Sequence, residues 1–287
     1  MSRAFWFRAP CARVLRLCAR QELVLAVRSR FLVIFAVVFA TLALLVASSG
    51  YVLTGGNGMQ DFARTAASLV ELVLLLVPLA ALVTGVTALT PDAGSAELLY
   101  SQPVARHSIL LGKIVGLALA LVAAEAIGFG ASGFVLFART GSGGLGAFAG
   151  IAAASVLLTI LFLCLAAAIT GGGASRSRAR NLAIALVVWL AGVVLFDVAA
   201  LGVASLLPSG AASRVLMVAA VANPIDAVRT GTLMAIEGTT AFGGASLAFL
   251  RFTHGAIGAA CWLAASVLFW TFASLAVGVR RLERTDI

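Results

Sequence analysis

Six long apolar runs, each cut off by a short cluster of glycine, proline or charged positions, organise this chain. They cover about residues 31–53, 65–89, 109–138, 146–170, 181–207 and 255–279. Each exceeds the ~20 residues that a helix rising 1.5 Å per residue needs to cross a hydrocarbon layer. Backbone inside lipid has no water to bond, so helices that satisfy their own N–H and C=O groups are the expected solution. The pattern predicts an all-α membrane protein with six transmembrane helices.

Three further stretches depart from this rhythm. Residues 1–30 are basic, and after Pro10 the spacing turns helical. Arg13, Arg16 and Arg20 share one face, with Val14, Leu17, Cys18 and Leu25 largely on the other, which predicts a helix lying at the membrane interface. Residues 90–113 (TPDAGSAELLYSQPVARHSILLGK) are too polar for lipid. Pro91, Asp92 and Gly94 signal a turn, Ser95 is placed to cap a short helix over 96–100, and Pro103 ends it. A short amphipathic helix outside the membrane suits docking to a soluble partner, or serves as a solvated connector. Residues 208–254 form the longest non-spanning segment. Its apolar pieces, 215–222 and 245–250, are too short to cross. The segment is expected to build a small helical platform at the outer surface, its apolar pieces lying on the spans, in the interface or against a partner, bent at Asn223-Pro224 and ordered by an Asp226–Arg229 pair three residues apart; a cap over the outer ends of a dimer is the alternative. The chain thus divides into a basic segment (1–30), a six-span domain (31–279) and a tail (280–287).

Composition supports the same class. The chain of 287 residues is 62% hydrophobic, has a mean hydropathy of +1.11 and is only 11% charged, where a soluble domain is nearer a quarter charged. The net charge of +9 is not a nucleic-acid signal in such a chain. It reflects topology and anionic lipid. Of the 20 Lys and Arg, five (Arg64, Arg139, Arg214, Arg229, Arg251) fall on one side of the six-span layout. The rest fall on the side of the two termini, which places both termini in the cytoplasm. The first apolar run lacks a small-residue cleavage site after it and reads as a retained span. Cys11, Cys18, Cys164 and Cys261 form no C-x-x-C pair and read as small packing residues. No internal repeat is visible.

Three acids lie inside spans: Glu71, Glu125 and Asp197. Ionisable groups there face protein, either lining a path or bonded to a neighbouring hydroxyl or backbone group. Met59, Met217 and Met234 all fall on the outer side, and thioethers are soft ligands suited to Cu(I), although no metal site is assigned. The Gly-rich loop at 171–180 is not a phosphate loop, because no G-x-x-x-x-G-K-[ST] occurs in the chain. Gly130-Ala131-Ser132-Gly133 with a later His254 resembles the serine arrangement of a rhomboid protease. Here, however, the serine is on the third span, and the family's second-span oxyanion donors have no counterpart. The small residues read better as helix-packing positions.

Glu97-Leu98-Leu99, Ser101-Gln102-Pro103-Val104-Ala105-Arg106 and Gly112-Lys113 resemble the loop between the second and third spans of ABC-2-type transporter permeases. Gln21-Glu22-Leu23 through Arg28-Ser29-Arg30-Phe31 resembles the elbow helix of that family. The resemblance implies a permease of the bacterial inner membrane that forms a homodimer and is not itself an enzyme. It implies a cytoplasmic ATPase dimer that binds ATP and Mg, with Glu97, Leu98, Ser101, Gln102, Pro103, Arg106, Gly112 and Lys113 coupling to it. Asn223-Pro224-Ile225-Asp226-Ala227-Val228-Arg229 is similar to a motif of one branch, whose permeases serve copper-site maturation of nitrous oxide reductase. That branch implies a periplasmic copper-handling partner docked through Asn223, Pro224, Asp226 and Arg229. A generic exporter of lipid, drug or polysaccharide and an ion-coupled carrier are the alternatives.

Overall fold

In the computed structural model, the residues described are 12–52, 58–90, 104–140, 144–171, 177–237 and 249–284. The regular structure among them is entirely helical. Helix α1 (Ala12–Val27) is followed by α2 (Arg30–Val52), α3 (Gly58–Leu89), α4 (Arg106–Thr140) and α5 (Leu145–Thr170). The fifth long helix is α6 (Arg178–Leu190), one wide π turn (Ala191–Leu195) and α7 (Phe196–Ser205). Then come α8 (Ser209–Ala222), α9 (Pro224–Glu237) and α10 (Ala256–Glu283). Among the described residues, six helices are long and apolar enough to cross a membrane: α2, α3, α4, α5, α6–α7 and α10. This is the expected number, and the chain is a multi-pass membrane protein. The last helix runs through Glu283, so Arg280 and Arg281 are helical and not part of a loose tail.

The centre of the bundle is the seam between α3 and α5. Leu69, Leu74, Leu82, Leu158, Leu161 and Leu163 are almost completely buried there, packing apolar surface against apolar surface at the density of a protein interior. Helix α2 packs on α4 and α10 on α5, while α6–α7 leaves most of its surface uncovered.

Helix α1 is bound to α4 along its length. Two glycines allow the approach. A Cβ at Gly112 would lie 2.9 Å from the Leu15 carbonyl oxygen, and one at Gly116 would lie 2.4 Å from that of Ala19. The face of α1 turned to the bundle is Ala19, Glu22 and Ala26. The two-faced reading of this helix therefore gains a third, protein-facing side. The chain breaks at Arg28, and Ser29 caps α2 by accepting from the Leu32 N–H at 3.2 Å.

Of the places open to the segment after α7, the structure shows it lying on the spans. Helices α8 and α9 meet at 105° and pack back onto α3, α5, α7 and α10. The apolar piece 215–222 is the second half of α8. Most of 245–250 lies outside the described residues.

Candidate functional site: a charged joint under a bent helix pair

The bend between α8 and α9 follows from two residues. Pro224 has no N–H to give and suits the first position of a helix. Asn223 is extended (φ −95°, ψ 120°), and its Oδ1 accepts from the Ile225 N–H at 3.2 Å, starting α9. A bend leaves the last carbonyls of α8 without intrahelical donors. Span α10 supplies them: Ser266 Oγ donates to Val221 O at 2.5 Å and Trp270 Nε1 to Ala222 O at 2.9 Å. On the other side, Asn223 Nδ2 donates to Gly192 O at 2.8 Å. Gly192 lies in the π turn, whose wider winding frees carbonyls from the regular ladder.

One turn into α9, Arg229 gathers three carboxylates from three elements. Its Nη1 donates to Asp197 of α7 and, at 3.0 Å, to Asp226 Oδ1 of its own helix. Its Nη2 reaches Glu71 Oε2 of α3 at 3.4 Å. Its Nε lies 3.2 Å from Glu71 Oε1 without the alignment of a hydrogen bond, so that contact is purely electrostatic. Asn223 Nδ2 also donates to Asp226 Oδ2, at 3.1 Å. Asn223 and Asp226 are buried. The joint therefore ties α3, α7 and the bent pair together, and it carries one cation against three acids. Beside it opens a cavity of about 300 Å³, lined among others by Asp197, Asp226, Arg229, Met217 and Met234. Two of the three methionines expected on the outer side thus line one cavity. The Met59 side chain is outside the described residues.

Glu125 is separate from this joint. It is fully enclosed, and its two oxygens accept from Ser155 Oγ (2.5 Å) and Thr159 Oγ1 (2.6 Å), one helical turn apart on α5. Of the two arrangements expected for such an acid, the described structure shows the bond to neighbouring hydroxyls.

At the opposite end of the bundle, the residues expected to couple to an ATPase are only partly visible. Glu97, Leu98, Ser101, Gln102 and Pro103 lie outside the described residues. Arg106 Nη1 donates to Leu282 O of α10 at 3.2 Å. Lys113 Nζ donates to Ala88 O at the end of α3 (3.2 Å) and pairs with the buried Glu22 of α1 at 3.6 Å. Gly112 and Lys113 are thus engaged by α1. Arg281 Nη1 donates to Ala168 O at 2.9 Å, and Asn181 Nδ2 to Thr90 Oγ1 at 3.2 Å. Side chains on α4, α6 and α10 therefore staple the ends of the spans together, and basic ones occupy the last carbonyls of α3, α5 and α10. Burial pushes the Cys18 thiol above its ordinary value, in keeping with a packing role.

The Glu22–Lys113 pair was missed by reading along the chain. The signal was a lone acid on a basic helix and a lone lysine at the head of a span. Likewise Glu71, Asp197 and Arg229 stand out singly in the sequence, and their union is visible only in the fold. The serine of the GxSG motif, Ser132, is buried and bonds its own helix at Gly128 O (2.8 Å).

Comparison with known proteins adds a family. The family model for ABC-2 family transporter proteins matches residues 17–287. The probable ABC transporter permease protein NosY of Pseudomonas aeruginosa is 32% identical over 276 residues, covering 94% of this chain and 98% of its own length. The protein of that name from Stutzerimonas stutzeri is 33% identical over 227 residues, covering 77% of this chain and 82% of its own.

Proposed function

The chain belongs to the ABC-2 transporter family as a membrane-spanning subunit, and on that premise we propose that it couples ATP hydrolysis on a separate cytoplasmic ATPase dimer to work at the outer face of the bacterial inner membrane. Two copies form the permease, with both termini in the cytoplasm. The end carrying Arg106, Lys113 and Arg281 faces the ATPase, and the bent α8–α9 pair faces outward. ATP and Mg sit on the partner, and this chain carries no phosphate loop.

The observation that supports this most is the Arg229 joint. It binds the outer pair to α3 through two contacts of Arg229 with Glu71, at 3.2 and 3.4 Å, and to α7 through the bond to Asp197. Helix α3 runs from this joint to the loop that resembles an ATPase-coupling segment. A push at one end of α3 is then carried as a rigid-body movement to the other. On the resemblance of Asn223 to Arg229 to the copper-maturation branch, the outer pair receives a periplasmic copper-handling protein, in the maturation of nitrous oxide reductase. Asn223, Pro224, Asp226 and Arg229 then act by shaping the docking pair, since two of them are buried against the chain itself. A generic exporter is the second reading, and the cavity beside the joint favours it as a place for cargo. An ion-coupled carrier is less well supported, because Glu71 and Asp197 already answer Arg229 and Glu125 answers two hydroxyls.

The test is whether a phosphate-loop ATPase co-purifies with the full chain, and whether a periplasmic extract yields a partner retained by wild type and lost when the α8–α9 pair is disrupted. Transport or ion uptake by the chain alone, without an ATPase, overturns the permease reading.

A further inference from the structure

The arginines of α1 remain unanswered after the joint and the stapled end are accounted for. Arg13, Arg16 and Arg20 on α1, with Arg28 at the break and Arg30 at the head of α2, are all exposed. Helix α1 has one acid, Glu22, and it is buried against Lys113. No ion pair engages these five arginines among the described residues. At 100° per residue, Arg13, Arg16 and Arg20 fall within roughly 60° of one another. The neighbouring flank carries Leu17, Val24 and Leu25, of which Leu17 is 58% and Leu25 56% exposed. The third side is sealed to α4 through Gly112 and Gly116, which holds the strip at a set height beside the mouth of span α2.

We infer that this strip is a binding site for anionic phospholipid headgroups, with the phosphates bridged by Arg13, Arg16 and Arg20 and the acyl chains against Leu17 and Leu25. A guanidinium presents paired donors that match phosphate oxygens. Each arginine near an anionic surface adds favourable energy there. The apolar flank next to the arginines favours lipid over an acidic protein, since a soluble partner would leave Leu17 and Leu25 without apolar cover. Because α1 is fixed to α4, which leads out of the 90–113 loop, lipid held here anchors that end of the bundle. The inference rests only on the multi-pass placement and is independent of any ATPase.

The test uses the full chain in nanodiscs of equal phosphatidylglycerol and phosphatidylcholine with matched acyl chains, and native mass spectrometry of the lipids retained on release. Wild type is expected to retain phosphatidylglycerol selectively, and less so at high salt, where exposed charges are screened. Combined Arg13→Gln, Arg16→Gln and Arg20→Gln abolishes the selectivity, each lost cation weakening headgroup association roughly fivefold. The same three positions changed to Lys keep most of it, which separates charge from folding. Arg178→Gln, Arg180→Gln and Arg284→Gln together remove equal charge from the same end and retain the selectivity. Equal loss in both triple variants reduces the effect to bulk charge and overturns the site. Full retention in the Arg13/Arg16/Arg20 Gln variant does the same. So does a variant that keeps its lipids but loses a bound soluble protein, since the strip is then a protein-docking surface.

Discussion

Arg229 on α9 donates to Asp197 on α7 across 32 positions of sequence, and through this bond the bent pair α8–α9 is held to the fifth span. Removing the guanidinium leaves the buried Asp226 and the half-buried Asp197 unanswered beside the more exposed Glu71, and a buried charge without its partner costs about 3 kcal/mol or more. Arg229→Met is expected to destabilise the chain by about 3 kcal/mol or more, read as a large drop in the thermal midpoint in detergent. Exchanging Asp226 and Arg229 does not restore stability, because the moved guanidinium no longer reaches Glu71 and Asp197. A double exchange that unfolds at the wild-type temperature would refute the three-carboxylate joint.

Glu125 serves as an acceptor for two hydroxyls of α5. Glu125→Gln keeps one carbonyl acceptor and is expected to cost about 1 kcal/mol, whereas Glu125→Ala leaves Ser155 and Thr159 without that partner and empties a packed space, costing about 2–4 kcal/mol. Transport in reconstituted complexes is expected to survive the Gln variant. If Glu125→Gln abolishes transport while folding normally, the acid has a role in the path that its hydrogen bonds do not express.

The seam between α1 and α4 depends on the absence of side chains at Gly112 and Gly116. Gly116→Leu pushes carbon into the Ala19 carbonyl, a backbone atom that cannot yield. It is expected to release α1 at a cost of about 1–3 kcal/mol, seen as faster proteolysis at Arg13, Arg16 and Arg20 with the spans still intact. Unchanged cleavage rates would mean that α1 is not held by this contact.

Coupling to an ATPase is tested at Glu97→Ala and at Arg106→Glu, the second of which also breaks the bond to Leu282 O. Losing one hydrogen bond costs about 1 kcal/mol, small against the stability of the bundle, so expression and dimerisation are expected to persist while ATPase association falls. Normal association in both variants removes the coupling role from this loop.

Topology is checked with single cysteines. Ser175→Cys and Thr285→Cys are expected to resist an impermeant reagent added outside, and Gly58→Cys and Ser209→Cys to react. Labelling at Thr285 from outside would invert the arrangement or add a span.

Much of this protein was determined by its sequence alone. Apolar runs of crossing length admit only helices in lipid, so the six spans were legible to within a few residues at most ends, and the distribution of arginine set an expected orientation. The motif around Asn223-Pro224 announced a bend, and of the 130–133 glycines Gly133 does admit a close neighbour, the Phe148 ring, while Gly130 faces open space. These are local properties, carried by consecutive residues. The tertiary structure decided which charges meet. Glu71, Asp197 and Arg229 lie on three separate segments, and hydropathy is blind to the rotation of one helix about another, so nothing in their spacing brings them together. The same holds for Glu22 and Lys113, whose pairing needs two glycines on one helix to admit a backbone on another. The segment 208–254 shows the physical reason most directly. Length alone left its apolar pieces free to lie on the spans, in the interface or against a partner, and the fold settles the 215–222 piece on the spans, where Ser266, Trp270 and Gly192 answer the polar groups at the bend.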